Sequence, residues 1–155
     1  MLHDDLFWMK QAFDLALIAK AAGEVPVGAV LVSPDFGLVG SGWNQVLKMH
    51  DPSAHAEIIA IREAAAKIHN HRLLNTTLYV TLEPCCMCAG ALVQARIQRL
   101  VFATRDFKAG AAGSVYNLIR GYPLNHTIQI DEGLLQEESS ALLSNFFKSC
   151  RAQQN

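Results

Sequence analysis

The sequence predicts an α/β domain, with a mixed five-stranded sheet held between layers of helices. Apolar runs of strand length recur along the chain, and apolar residues at gaps of three and four fill several intervals between them. At 155 residues and 51% hydrophobic composition, the chain can bury one sizeable core but not comfortably two. Residues 1–155 are therefore expected to form a single domain.

Asp4 or Asp5 can cap a first helix, on which Leu6, Met9, Phe13 and Leu17 form the expected core stripe, with Gly23 as its stop. Val27 to Val32 is a continuous apolar run, followed by turn residues Ser33 to Gly37 and a second run from Leu38 to Trp43. Together they read as a hairpin whose first strand lies inside the sheet. A loop from Asn44 to Ser53 leads to a second helix, with Ser53 or Asp51 as cap and Pro52 available at its first position. Its interior carries Ile58, Ile59, Ile61, Ala64, Ala65 and Ile68, and Arg62, Glu63 and Lys67 mark its wetter side.

Leu78 to Thr81 is a third strand that delivers the chain to Glu83-Pro84-Cys85. Pro84 fits the first turn of the helix that follows, which carries no charge until Arg96. A helix apolar all round must be covered all round, so this one is expected to join a self-association interface. Leu100 to Ala103 is a fourth strand, residues 105–114 a Gly- and Ala-rich loop, Val115 to Ile119 a short helical piece, and Thr127 to Ile130 a fifth strand. A last helix, from about Leu134 to Lys148, should turn Leu135, Leu142 and Phe146 inward.

Several classes are excluded. The acidic start Met1-Leu2-His3-Asp4-Asp5 is not a signal peptide, and no apolar run approaches the ~18 residues of a membrane span. Three cysteines crowded at 85, 86 and 88, plus Cys150, make no sensible disulfide framework. Their spacing favours metal in a reducing compartment, so a cytoplasmic protein is expected.

Cys85 and Cys88 have the C-x-x-C spacing that closes two thiolates on one metal, whereas Cys86 lies about 100° round the helix. A helix N-terminus favours thiolate over thiol. His55, at the start of the preceding helix, supplies a third ligand, and a tetrahedral zinc with three protein ligands keeps room for water. Glu57 is the natural base for that water, because zinc lowers the water's pKa towards ~7 and a carboxylate can take and return the proton. Residues two apart on a regular helix diverge by about 200°, so His55 and Glu57 share a site only if the metal lies over the helix end.

Taken alone, C-x-x-C equally suits a structural zinc or buried thiols. A structural site would want a fourth ligand from among His50, Asp51, His69, His71 and Cys86, none of which has paired spacing. Net charge is −1, so the whole chain is no non-specific nucleic-acid binder. Between Gln94 and Arg120, however, Arg96, Arg99, Arg105, Lys108 and Arg120 face only Asp106, with Lys148 and Arg151 able to join them. The bland reading of that run is a solvated face. Beside a base-binding pocket it becomes a phosphate-contact surface.

His55-x-Glu57 followed by Pro84-Cys85-x-x-Cys88 is the signature of the zinc nucleobase deaminases. Over nearly its whole length the chain resembles the bacterial tRNA-specific adenosine deaminases of the cytidine deaminase superfamily. The matching blocks are Glu24 to Val30, Asp51 to Glu57, Thr81 to Ala91, Lys108 to Ser114 and Phe146-Phe147. The resemblance implies a cytidine deaminase-like three-layer α/β/α fold, a homodimer, one zinc per subunit, and conversion of adenosine to inosine at the wobble position of a tRNA anticodon loop. It implies zinc on His55, Cys85 and Cys88, proton transfer by Glu57, Asn44 on the flipped nucleoside and Asp106 on a sugar hydroxyl. Lys108, Asn125, Phe146 and Phe147 would line the anticodon-loop surface. The chain departs from the family at Phe107, where a small residue is usual, and in a less basic C-terminal helix. Two rival functions are a deaminase of a free nucleobase or nucleoside, of guanine or cytosine type, and a zinc-stabilised RNA-binding protein without catalysis.

Overall fold

The computed structural model describes residues 3–120 and 126–154. The chain runs α1 (Asp5–Ala21), β1 (Gly28–Ser33), β2 (Gly37–Trp43), α2 (Val46–Met49), α3 (Ala56–Ile68), β3 (Thr77–Leu82), α4 (Cys86–Gln94), β4 (Arg99–Thr104), β5 (Gln129–Glu132) and α5 (Gln136–Gln153). The sheet order is β2-β1-β3-β4-β5. β1 is antiparallel to both β2 and β3, whereas β3, β4 and β5 run parallel, so the sheet is mixed, and β1 lies inside it as expected.

The parallel strands are apolar on both faces because helices cover both. On one side Met9 and Ala12 of α1 pack on Val30, Tyr79, Val101 and Ala103. Leu134 and Leu135, which lead into α5, join that cluster. On the other side Ala56, Ala60 and Ala64 of α3, and Ala89 and Leu92 of α4, pack on Ala29, Leu31, Leu78, Val80, Leu100 and Phe102.

Asp4 caps α1 by accepting the Phe7 N–H at 2.8 Å, and the helix ends before Gly23 at φ +79°. Its buried face is Met9, Ala12, Ala16 and Ala19: of the expected stripe Met9 is buried and Phe13 half-buried, but Leu6 is 39% and Leu17 42% exposed. The cause is close approach. A Cβ on Gly28 of β1 would lie 2.0 Å from the Ala12 carbonyl oxygen, so the helix backbone rests on the strand through small residues. β2 and α3 repeat the device, since a Cβ on Gly40 would meet the Ala60 carbonyl at 2.2 Å.

Other boundaries shift for local reasons. Asp51 closes a turn on Ser53, accepting its N–H at 2.8 Å and its hydroxyl at 2.7 Å. It therefore caps no helix, and α3 starts later, at Ala56. Ile58, Ile59, Ile61 and Ile68 are only half-buried, because the alanines hold the sheet face. The expected loop from Asn44 contains the single turn α2, which the buried Glu24 carboxylate caps through the N–H groups of Leu47 (3.0 Å) and Lys48 (2.9 Å).

Residues 115–119 form no helix; Asn117 makes an isolated bridge with Ala112. β5 begins at Gln129 rather than Thr127, in register with Arg99. α5 runs on to Gln153, and Leu142 and Leu143 are its buried leucines, while Leu135 precedes it in a left-handed conformation. Among the described residues no helix is long and apolar enough to cross a membrane.

A candidate metal centre in a cation-rimmed cavity

The site forms at the C-terminal ends of β3 and β4. Because Gly28 pairs with Trp43 and β1 runs antiparallel to β3, Val27 and Asn44 arrive at the same sheet edge as Leu82 and Thr104. Beyond that edge lies a cavity of about 740 Å³. Val25, Val27, Leu82 and Leu143 give its apolar lining, and Asn44, His55, Glu57 and Cys85 its polar end. A concave, mostly apolar volume of this size with a few convergent polar groups has the character of a small-molecule site.

Two helix N-termini converge there. His55 is the residue before α3 and Cys85 the residue before α4, both in extended conformation with no side-chain capping bond of their own. His55 Nδ1 lies 3.6 Å from Cys85 Sγ and 3.5 Å from Cys88 Sγ, and the three ligand atoms fall within 4.8 Å of one another. Among the described residues they are the group with metal-holding geometry, and none of the fourth-ligand candidates joins it. A cation bound here completes the donor set, since two thiolates and an imidazole suit tetrahedral zinc with one position left over. Pro84 lies one residue outside the helix rather than in its first turn, because Cys85 itself is the cap. Cys86 is exposed, and Cys150 is half-buried on α5.

The extended backbone at His55 also explains how it and Glu57 share a site. The helical rotation starts only at Ala56, so the pair straddles the helix end. Glu57, 4% exposed, has its pKa raised by burial. The Cys85 thiol is pulled down to about 3 by the hydrogen bond from Cys88, then by His55. Cys88 is pushed up by holding that proton and by burial, and His55 is raised by its hydrogen bond to Cys85. The two sulfurs thus share a proton beside a basic imidazole, a set that a divalent cation would deprotonate.

Asn44 is 9% exposed and its Oδ1 accepts the Ala56 N–H at 3.0 Å, which caps α3 from outside and leaves the amide NH₂ for the cavity. Asp106 also lines the cavity, but its Oδ1 accepts the N–H groups of Lys108 (3.0 Å) and Ala109 (3.1 Å). Lys108 and Phe147 are at the rim; Phe146 stacks edge-on against Phe147 at 5.5 Å and does not line the cavity. Asn125 lies outside the described residues.

The basic run is split by the sheet. Arg99 turns to the α1 side, where it binds Asp5 through two hydrogen bonds (2.7 and 2.8 Å) and Asp131 at 2.8 Å. Arg105 lines the cavity but is paired with Glu132 at 2.8 and 2.9 Å. Lys108, Lys148 and Arg151 complete the rim, and none of them is in an ion pair among the described residues.

Sequence reasoning missed Glu83. It is 2% exposed, and its carboxylate accepts the N–H groups of Asp106 (3.0 Å), Ala112 (2.9 Å) and Ser114 (3.1 Å) together with the Ser114 hydroxyl. It thereby folds the 106–114 loop over the cavity. An acid placed directly between an apolar strand and a metal-binding turn was the available signal.

Residues 2–104 match the family model of the cytidine and deoxycytidylate deaminase zinc-binding region. The chain is 53% identical over 143 residues to a tRNA-specific adenosine deaminase of Haemophilus influenzae, covering 92% of this chain and 83% of that one. A solved structure from work on A-to-I editing by tRNA:A34 deaminases at the wobble position superposes with TM-score 0.85 at 39% identity, covering 88% of this chain and 99% of that one. A guanine deaminase from Nitrosomonas europaea superposes with TM-score 0.81 at 28% identity, covering 94% and 86%.

Proposed function

The chain belongs to the cytidine and deoxycytidylate deaminase family, among its tRNA-specific adenosine deaminases, and on that premise we propose how its own residues carry the reaction. It is a hydrolytic enzyme that converts adenosine to inosine at the wobble position of tRNA. Residues 1–155 act as one deaminase domain. His55, Cys85 and Cys88 hold one zinc ion per subunit. When bound there, zinc would supply Lewis acidity and lower the pKa of a water towards ~7.

Glu57 then does the proton work. It would accept one proton from a water and deliver it to N1 of the adenine, then take the second proton from the hydroxyl added at C6 and pass it to the leaving amine. Oxygen adds at C6 and the C6–N6 bond breaks, so adenosine and water give inosine and ammonia. Asn44, fixed by the α3 backbone, offers its NH₂ to the nucleoside, while Val25, Val27 and Leu82 exclude water around the ring. Asp106 lies near the sugar hydroxyls, and Lys108 and Phe147, at the cavity rim, face the anticodon loop. Anticodon-loop bases are already unpaired, so presenting one costs little.

The observation that carries this reading is the donor cluster with buried Glu57 at one end of a cavity whose rim is cationic. A free base needs the same donors but not Lys108, Lys148 and Arg151. The test is deamination of an anticodon stem-loop with adenosine at the wobble position, beside free adenosine, cytidine and guanine, using zinc-loaded protein. Inosine in the stem-loop alone is expected; turnover of a free base alone discards the tRNA substrate.

The enzyme is a homodimer in this reading, in the cytoplasm where its tRNA is. α4 supports self-association: Met87 is 39% exposed, and Gly90 opens onto free space. A monomeric mass in sedimentation at micromolar concentration would count against it.

A further inference from the structure

Phe107 is the feature of the cavity mouth that the deamination chemistry leaves unused. Its ring is 78% exposed, more than any other large apolar side chain among the described residues. An exposed phenylalanine on a mobile loop would mean little, but this one sits on a locked turn. The Asp106 N–H donates to buried Glu83 at 3.0 Å, the Asp106 carboxylate takes the N–H groups of Lys108 and Ala109, and the Gly110 N–H returns to the Asp106 carbonyl at 2.9 Å. Four hydrogen bonds from main-chain N–H groups around a single turn fix the backbone from which Phe107 projects at the rim.

The surroundings indicate what the ring is for. Lys108 follows it, Lys148 and Arg151 stand on the same rim, and a second exposed aromatic, Phe147, lines the cavity from α5. Exposed rings interleaved with unpaired cations fit single-stranded nucleic acid, whose bases stack on the rings while its phosphates meet the cations.

We propose that Phe107 is a stacking platform for one of the two bases flanking the target adenosine. The inference rests on the tRNA reading above and adds to it a recognition residue. Every base has a π-face and Phe107 has no hydrogen-bonding group, so the contact helps binding without selecting one neighbouring base.

The test is a double-mutant cycle on the zinc-loaded full chain. Wild type, Phe107→Ala, Phe107→Leu and Phe107→Trp act on a stem-loop with all bases and on two stem-loops with a single abasic site, 5′ or 3′ of the target. Phe107→Ala should raise KM for the intact stem-loop by about fivefold or more, the scale of one lost stacking contact, with the loss falling on KM rather than kcat. Phe107→Trp should retain wild-type KM and Phe107→Leu should not. On the abasic substrate that removes the stacked base, wild type should lose the same factor and Phe107→Ala should add nothing.

An unchanged KM in Phe107→Ala, Leu serving as well as Trp, or full additivity with both abasic substrates overturns the platform while leaving the tRNA assignment standing. Wild-type protein that leaves the intact stem-loop unmodified overturns the tRNA assignment, and the platform with it.

Discussion

The carboxylate of Glu83 accepts the backbone N–H of Asp106 at 3.0 Å, tying the residue before the metal-binding turn to the loop that closes the cavity. The other carboxylate oxygen takes the Ala112 and Ser114 N–H groups, and the Gly110 position is so close that a Cβ there would lie 2.5 Å from the carboxylate. Glu83→Ala strands the buried Ala112 N–H and the partly buried N–H groups of Asp106 and Ser114 at once, and unmet buried donors cost about 1–3 kcal/mol each before relaxation. A loss of at least ~3 kcal/mol in urea unfolding is expected, with faster amide exchange confined to 106–114. Unchanged stability with intact protection of that loop would show that the carboxylate is dispensable.

The thiols separate by geometry. Cys85 and Cys88 lie within 3.6 Å of His55 Nδ1, whereas Cys86 points to solvent. Cys85→Ser or Cys88→Ser should leave protein that purifies with little zinc and melts lower. Loss of a mere supporter of a ligand already weakens metal by roughly 10–100-fold, and losing a ligand should exceed that. Cys86→Ala should keep parental zinc content and melting temperature. Zinc lost from Cys86→Ala would mean that another pair of sulfurs binds it. Stripping zinc from the parent by chelation should lower its melting temperature, and re-addition should restore it.

Much of this was legible in the chain, for physical reasons that differ by element. A metal site demands fixed residue types, so the grouping of His55, Cys85 and Cys88 was legible, and continuous apolar runs mark strands buried on both faces. The inner face of α1 was hidden because Ala12, Ala16 and Ala19 carry little hydrophobic signal, although they permit the closest packing on Gly28. The basic run was overread because Arg99 and Arg105 are neutralised by Asp5, Asp131 and Glu132, partners distant in sequence. Glu83 escaped because its partners are backbone N–H groups, which every residue but proline carries.

Asp5 and Arg99 give a pH prediction. The hydrogen bond from Arg99 holds the Asp5 carboxyl below its ordinary value, and Tyr79 adds its hydroxyl at 2.7 Å. Since the folded pKa lies below the unfolded ~3.9, the contribution is complete above ~4 and disappears as pH falls through the lower folded value. Asp5 is partly exposed, so solvent screening limits the pair to about 1 kcal/mol. Asp5→Asn should therefore unfold at lower urea than the parent at pH 7, and the two curves should converge as pH falls through the lowered folded value of Asp5. A gap that persists in acid would assign the loss to packing rather than charge.

Glu57 tests the chemistry itself. It is buried in the first turn of α3, two residues from His55 yet outside the three-atom cluster, a position that suits the proposed proton transfer without ligation. Burial raises its pKa, and a carboxylate raised towards neutrality is the better general acid and base there, as the proposed role requires. Glu57→Gln keeps the shape and removes the proton acceptor. On the wobble-adenosine stem-loop, kcat should fall by about 10²–10⁴-fold, the usual weight of general acid–base catalysis, while zinc content and KM change little. Activity within tenfold of the parent would remove Glu57 from the proton path. Loss of zinc along with activity would make it a fourth ligand, and the centre would then be structural rather than catalytic.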